Sequence, residues 1–181
     1  MRSHGRQPTR LLHPWDYGST RKYAEWLKEA TGFEMAEAGK IKIGEVAKYD
    51  TIIYGGGIFA GGITGISFLK KNIEKLKGKK LVAFCCGAFP FDADSIKELK
   101  ERNLSGELSD IPLYYCRGAF DLANMHFADK MLCKMLIKSI EKKDPKERDE
   151  RDEGFLELAR TSCDWTDKSY IGPILEECKK A

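Results

Sequence analysis

The sequence predicts an α/β domain of three layers, a parallel sheet with helices on both of its faces. Helix-like and strand-like patterns alternate from Thr20 onward, the arrangement that closes into a parallel sheet. The segment Leu81–Cys86 is apolar throughout, as a strand covered on both faces requires. Glycines crowd the expected strand ends, with five among the eight residues Gly55–Gly62.

Taken in order, the first helix is expected from Thr20 to Ala30. Tyr23, Trp26, Leu27 and Ala30 fall on one face, and Gly32 supplies a left-handed terminator. A short strand over Phe33–Ala36 follows. Tyr49–Tyr54 reads as a strand closed by the glycine run. Ile66–Leu76 reads as a helix carrying Ile66, Leu69, Ile73 and Leu76 on one side. After the apolar strand, a helix from Asp94 to Arg102 has Asp94 as its expected N-cap. Ile111–Cys116 is the last clear strand, and Pro112 suits its first residues or a sheet edge. The longest helix spans Asn124–Lys142. Its stripe of Met125, Met131, Leu132, Met135, Leu136 and Ile140 reads as core-facing. Residues 141–153 are almost wholly charged and read as a solvated linker, followed by C-terminal helical pieces.

A chain of 181 residues is long enough for one sizeable core. Its net charge of +3, with both signs interleaved, does not suggest a nucleic-acid partner. No apolar run approaches the ~20 residues that span a bilayer. No signal-peptide core follows the basic start Met1–Arg6. The six cysteines form no C-x-x-C pair and read as mostly buried thiols of a reduced, cytoplasmic protein. His4, His13 and His126 have no ligand-like spacing to them, so no metal is expected.

In an open parallel sheet, ligands bind beyond the carboxyl ends of the strands. Three loops are suited to that edge. Tyr17-Gly18-Ser19-Thr20-Arg21 stands directly ahead of an amphipathic helix, where free backbone N–H groups, the positive dipole end and two hydroxyls favour a phosphate. Taken alone, it also fits an ordinary Ser/Thr helix cap. The Gly55–Gly62 loop, carrying Gly57, Ile58, Phe59, Ala60 and Gly61, is costly unless something must approach its backbone. Cys86-Gly87-Ala88-Phe89 is a third small-residue loop. Together they suggest a phosphorylated, flat, aromatic ligand. Gly55–Ala60 also fits the dinucleotide fingerprint G-x-G-x-x-G/A. Gly61 and Gly62 follow where a helix should propagate, and the next strand ends in Cys85-Cys86 without a ribose-binding acid, so a nicotinamide nucleotide ranks below FMN.

The run Tyr17–Ala24 resembles the phosphate loop and first helix of the flavodoxin-domain family, a group that includes bacterial FMN-type protoporphyrinogen oxidases. The similarity continues through Tyr54–Gly62, Phe84–Gly87 and Tyr115–Gly118, from Tyr17 to about Lys143. The resemblance implies a flavodoxin-like fold with strand order 2-1-3-4-5. It implies an FMN phosphate held by Ser19 and Thr20, with the Gly57–Gly61 and Cys86–Ala88 loops flanking the isoalloxazine. The implied function is an FMN-dependent oxidoreductase, protoporphyrinogen-oxidase-like, using an electron donor or redox partner that the sequence does not identify. The alternatives are a non-enzymatic electron carrier and a degenerate module that no longer binds FMN. The positive charges near the Met-rich helix permit peripheral membrane contact.

The departure from the family lies before Tyr17. The first strand should be central and apolar, yet only Leu11 and Leu12 are strongly apolar between Pro8 and Pro14. Trp15 stands where the family usually has a phosphate-binding Ser. Residues 1–16 are therefore expected to be an atypical segment with a poorly encoded strand, not the ancestral start of the flavodoxin-like domain 17–181.

Overall fold

The computed structural model describes residues 9–13 and 18–180. They form two compact units, one ending at Gly118 and resuming at Thr166, the other Ala119–Trp165.

The first unit is built on β1 (Thr9–His13), α1 (Ser19–Thr31), β2 (Glu34–Glu37), α2 (Ile43–Val46), β3 (Thr51–Phe59), a two-residue β4 (Gly62–Ile63) and α3 (Ser67–Asn72). It continues with β5 (Lys80–Gly87), α4 (Ala93–Asn103) and β6 (Leu113–Arg117). The parallel sheet has the order β2-β1-β3-β5-β6, with β4 folded back antiparallel on the end of β3. Setting that hairpin strand aside, this is the expected order 2-1-3-4-5.

The poorly encoded first strand forms. It lies between the two prolines in sequence and pairs in parallel with β2 on one side and β3 on the other. Leu11 and Leu12 are both fully buried, on opposite faces. Arg10 is held by two residues, Glu34 on the neighbouring strand and Tyr49 on the turn before β3. It pairs with Glu34 at 3.0 Å, donates to the Tyr49 hydroxyl at 2.5 Å and stacks 4.3 Å from the Tyr49 ring centre. The prolines themselves lie outside the described residues.

One face of the sheet packs Leu12, Ile52, Tyr54, Ala83 and Cys85 against Leu69 of α3 and Leu99 of α4. The other packs Leu11, Ile53, Val82, Phe84, Cys86 and Cys116 against Tyr23 and Leu27 of α1 and the C-terminal segment. Cys85 and Cys86 thus point to opposite faces. The Cys85 thiol is pushed up by burial, and the Cys116 thiol by its hydrogen bond to Cys86 and by burial, so both stay protonated and unreactive. Pro112 lies just ahead of the edge strand β6, where it costs no ladder donor, and its carbonyl accepts from the Ala83 N–H at 2.9 Å.

Two local expectations are corrected. Gly55, Gly56 and Gly57 continue β3, paired with Phe84, Cys85 and Cys86, and the loop starts only at Ala60. The helix after β5 is capped by Asp92, not Asp94, through the Ser95 N–H at 2.7 Å.

The second unit holds β7 (Ala119–Phe120), α5 (Phe127–Glu141), α6 (Glu150–Ala159) and β8 (Cys163–Asp164), with β7 and β8 paired antiparallel. The expected charged linker contains a 3₁₀ turn at Pro145–Glu147 and the start of α6, N-capped by Asp149. Arg148 fixes this stretch by donating to the Ile140 and Glu141 carbonyls at 3.1 and 3.0 Å, which satisfies the end of α5. The expected core stripe of α5 is also corrected. Cys133 and Ile140 are buried, whereas Met131, Leu132, Met135 and Leu136 are exposed. After β8 the chain returns to the first unit and ends in α7 (Gly172–Lys179). Among the described residues no helix is long and apolar enough to cross a membrane.

Leu12→Ala removes a fully buried side chain from a central strand and is expected to cost about 2–5 kcal/mol, read as a lower urea midpoint. The tyrosines add a pH dependence. The Tyr114 hydroxyl donates to Glu177 at 2.9 Å, and burial and that carboxylate push its pKa from 10.0 up to about 12. Burial raises Tyr23, Tyr54 and Tyr115 as well. A raised folded-state pKa stabilises below the unfolded value, and that stability is lost as pH climbs through the folded value. Urea midpoints should therefore fall between pH 10.0 and about 12, with tyrosinate absorbance appearing together with unfolding.

Candidate functional site

The site lies at the carboxyl edge of the sheet, where α1 starts beside the ends of β3, β5 and β6. Gly18 is the N-cap of α1 with φ of 81°, and it supplies no side-chain capping bond. No acidic residue occupies the first turn. The backbone donors and the positive end of a 13-residue helix are therefore not offset by a carboxylate of the helix's own first turn. Thr20 is largely buried, and its hydroxyl has no protein partner among the described residues. Tyr17 lies outside the described residues.

Neighbouring strands close around this helix start. A methyl group added at Gly57 would lie 3.9 Å from the hydroxyls of both Thr20 and Thr64. One added at Gly118 would come within 2.9 Å of the Ser19 hydroxyl. The Gly118 N–H donates to the Gly87 carbonyl at 2.7 Å, locking the segment after β6 to the end of β5. Ser19, Thr20, Gly57, Gly87 and Gly118 are thus one neighbourhood. Arg21 turns along its own helix, with its Nε 2.8 Å from Glu25. Cys86 faces the core beside Cys116, so only its backbone reaches the edge.

The glycine run has a structural cause. A methyl at Gly55 would overlap the Phe84 ring, and one at Gly56 would lie 2.7 Å from the Thr64 carbonyl oxygen. What approaches these two glycines is the chain itself: the Phe84 ring of β5 at Gly55, and at Gly56 the Ile63–Thr64 segment where β4 folds back over β3. Ala60 and Gly61 form the two-residue turn between paired Phe59 and Gly62. Their φ values of 47° and 74° suit the mirror-image turn that such a hairpin needs. A hairpin in place of a helix also removes the structural basis of the dinucleotide fingerprint.

Asn103, buried at the end of α4, clamps this hairpin. Its Oδ1 accepts from the Ile63 N–H at 3.0 Å, and its Nδ2 donates to the Gly61 and Leu99 carbonyls at 3.1 and 2.9 Å. Thr64 ties the other end, since its N–H and hydroxyl donate to the Gly57 carbonyl at 2.8 and 3.0 Å. Ile58 lies against Gly87, and Phe59 is partly exposed. On the β5 side, the Tyr115 hydroxyl donates to the Gly87 carbonyl at 2.7 Å and also to that of Phe89. The Arg117 Nε donates to the Ala88 carbonyl at 3.4 Å, while the Tyr23 hydroxyl donates to the Arg117 carbonyl at 2.5 Å. Phe89 and Phe91 are exposed, and the Phe91 ring centre is 6.0 Å from that of Tyr115.

Sequence reasoning missed Asn103, Tyr115, Arg117 and Phe91. The signal for Phe91 was present in Phe89-Pro90-Phe91, two aromatic residues in a loop after an apolar strand. Asn103 gives no such signal, because its role exists only once β4 and α4 meet.

The flavodoxin-domain family model matches residues 12–149. Among curated proteins none matches the sequence. Among solved structures, a WrbA-like flavodoxin protein from Agrobacterium tumefaciens is 18% identical, with 69% of this chain and 88% of that chain covered and a TM-score of 0.47. The Trp repressor binding protein of Bacillus subtilis is 11% identical over 61% of this chain and 84% of its own, with a TM-score of 0.48. The two-electron reduced flavodoxin of Megasphaera elsdenii is 19% identical over 59% and 82%, with a TM-score of 0.43.

Asn103→Ala leaves the buried Ile63 N–H without its acceptor and is expected to cost about 1–3 kcal/mol of stability. Faster amide exchange at Ile63 should localise the loss, whereas exchange at Val82 should change only with global unfolding.

Proposed function

Because the chain belongs to the flavodoxin-domain family, we propose that it binds FMN at the carboxyl edge of its sheet and works as an FMN-dependent oxidoreductase. The observation that carries this reading is the meeting of the uncapped α1 start with Gly57 and Gly118, where a methyl group would fill the space beside Thr20 and Ser19. The residues fit the group. The first-turn backbone of Gly18, Ser19, Thr20 and Arg21 offers donors to a phosphate, and the Thr20 hydroxyl is available to it. Tyr17 belongs to the same proposed loop. The Gly57, Ile58, Phe59, Ala60 and Gly61 hairpin and the Cys86, Gly87 and Ala88 backbone would border the isoalloxazine ring. Phe59 and Phe89, exposed in those two segments, are the candidate ring covers.

Once bound, FMN supplies one- and two-electron transfer, and the protein's part is to position it and set its potential. Asn103 and Tyr115 serve that part by holding the two bordering loops through their backbone carbonyls. The reading as a degenerate module rested on the first strand, and β1 is formed and buried. Protoporphyrinogen-like substrates remain one candidate donor class.

Titrating FMN into the purified protein should quench flavin fluorescence to a saturable end point. Gly57→Ala should keep or slightly raise the urea midpoint, since its φ needs no glycine, while weakening FMN about tenfold or more. Absence of quenching in the wild-type protein overturns the proposal. Steady-state turnover of protoporphyrinogen, or of a quinone-linked donor, separates an oxidoreductase from an electron carrier.

A further inference from the structure

α5 carries more apolar surface than its own packing uses. Its inner side is occupied, with Cys133 and Ile140 buried. Phe127 is 80% exposed and Met135 62%, and Met131, Leu132 and Leu136 are each more than two-fifths exposed. At 3.6 residues per turn these five side chains form one continuous outer face over more than two turns. Scattered exposed hydrophobes need no explanation, but a contiguous patch of this kind marks a contact surface.

The charges beside that face indicate what meets it. Lys130, Lys134 and Lys138 recur at i, i+4 and i+8, so they line one flank of the apolar face, and Lys142 continues the row. Lys134, Lys138 and Lys142 are exposed and form no ion pair with any described residue. Lys130 donates to the Ala123 carbonyl at 2.8 Å and stays on the same flank. Two acids that could neutralise the row are engaged elsewhere: Asp152 pairs with Lys143 at 2.6 Å and Glu153 with Arg148 at 3.3 Å. Glu141 stands alone among the acids of this flank, at its far end, and Asp129 lies off it.

We propose that α5 docks flat on an anionic lipid surface, with Phe127, Met131, Leu132, Met135 and Leu136 entering the headgroup boundary and the lysine row meeting lipid phosphates. The helix has 15 residues, too few to span a bilayer, and its division into an apolar face with a cationic border is the pattern of an interfacial helix. Lysine stems can lie along the apolar face while their ammonium groups reach the phosphates. A second copy of the chain suits this face less well. Self-association through the same patch would supply a further lysine row with only Glu141, at the end of the flank, to oppose the first.

Co-sedimentation of the full chain with vesicles tests this. One set is phosphatidylcholine alone, and the other contains roughly one quarter phosphatidylglycerol. The protein should pellet with the anionic vesicles about tenfold more strongly than with the neutral ones, and added salt should weaken the binding. The double variant F127S/M135S and the charge variant K134E/K138E should each reduce binding about tenfold while the far-UV circular dichroism stays that of wild type. Lys97→Glu, on exposed α4, should bind as wild type. No pelleting, equal pelleting with both vesicle types, or unchanged binding by both α5 variants overturns the proposal. A vesicle-free dimer that F127S/M135S dissociates, without anionic-vesicle binding by the wild type, assigns the face to a second copy and also overturns it. Flavin plays no part in this readout, so the result is separable from FMN binding.

Discussion

Leu11 and Leu12 are sequence neighbours in the central strand, so their side chains leave on opposite faces, and each is fully buried in a different half of the core. The strand that carries them holds β2 and β3 together through parallel ladders on both sides. Burying two leucines gives only a few kcal/mol in transfer terms. Their position multiplies the consequence, because neither face of the sheet closes without them. Arg10 adds specificity on the same strand, tying β1 to the Glu34 and Tyr49 side chains.

That constraint explains why the fold was legible despite a weak first strand. The alternation of elements, the apolar β5 and the i, i+4 pattern of α1 are local signals, and each survives in the structure with its ends moved by a few residues. The first strand looks poor in sequence because the stretch between Pro8 and Pro14 holds only two strongly apolar residues, Leu11 and Leu12. Within Thr9–His13 the pattern needs only one apolar residue per face, and the neighbouring strands supply the rest of the burial. Tertiary context overrides propensity most easily in a central strand, where both ladders are satisfied.

The parts that were not legible share one cause: they depend on which surfaces meet. The glycine run read as a loop because glycine is a loop former, yet Phe84 and the Thr64 backbone require it within β3. No local window contains both partners of that contact. The Met-rich stripe of α5 read as core because periodicity reports that an apolar face exists, not whether a partner covers it. α5 has two apolar faces, and the one with Cys133 and Ile140 faces inward. Asn103 was invisible for a further reason. A buried amide in the last turn of a helix looks like an ordinary polar residue until its three backbone partners are known.

The same contacts bear on how the edge would receive a ligand. Flexible glycine loops at a binding site would have to be ordered on association, and that ordering subtracts from affinity. Here the close approaches that demand glycine at positions 55 and 56 are made by the chain's own atoms, and Asn103 and Thr64 hold the hairpin at both ends. Tyr115 does the same for the loop after β5. The backbone at this edge is therefore set by internal packing, before any ligand arrives. What is left for a ligand to fix is mainly the side chains that stay exposed, Phe59 and Phe89 among them. Residues that hold a backbone carbonyl in place can then alter recognition without touching the ligand, and substitutions there should separate ligand affinity from global stability less cleanly than one at Gly57. Gly57 is the informative position because its added methyl meets only ordinary contacts within the protein, so its cost falls on whatever occupies the space beside Thr20.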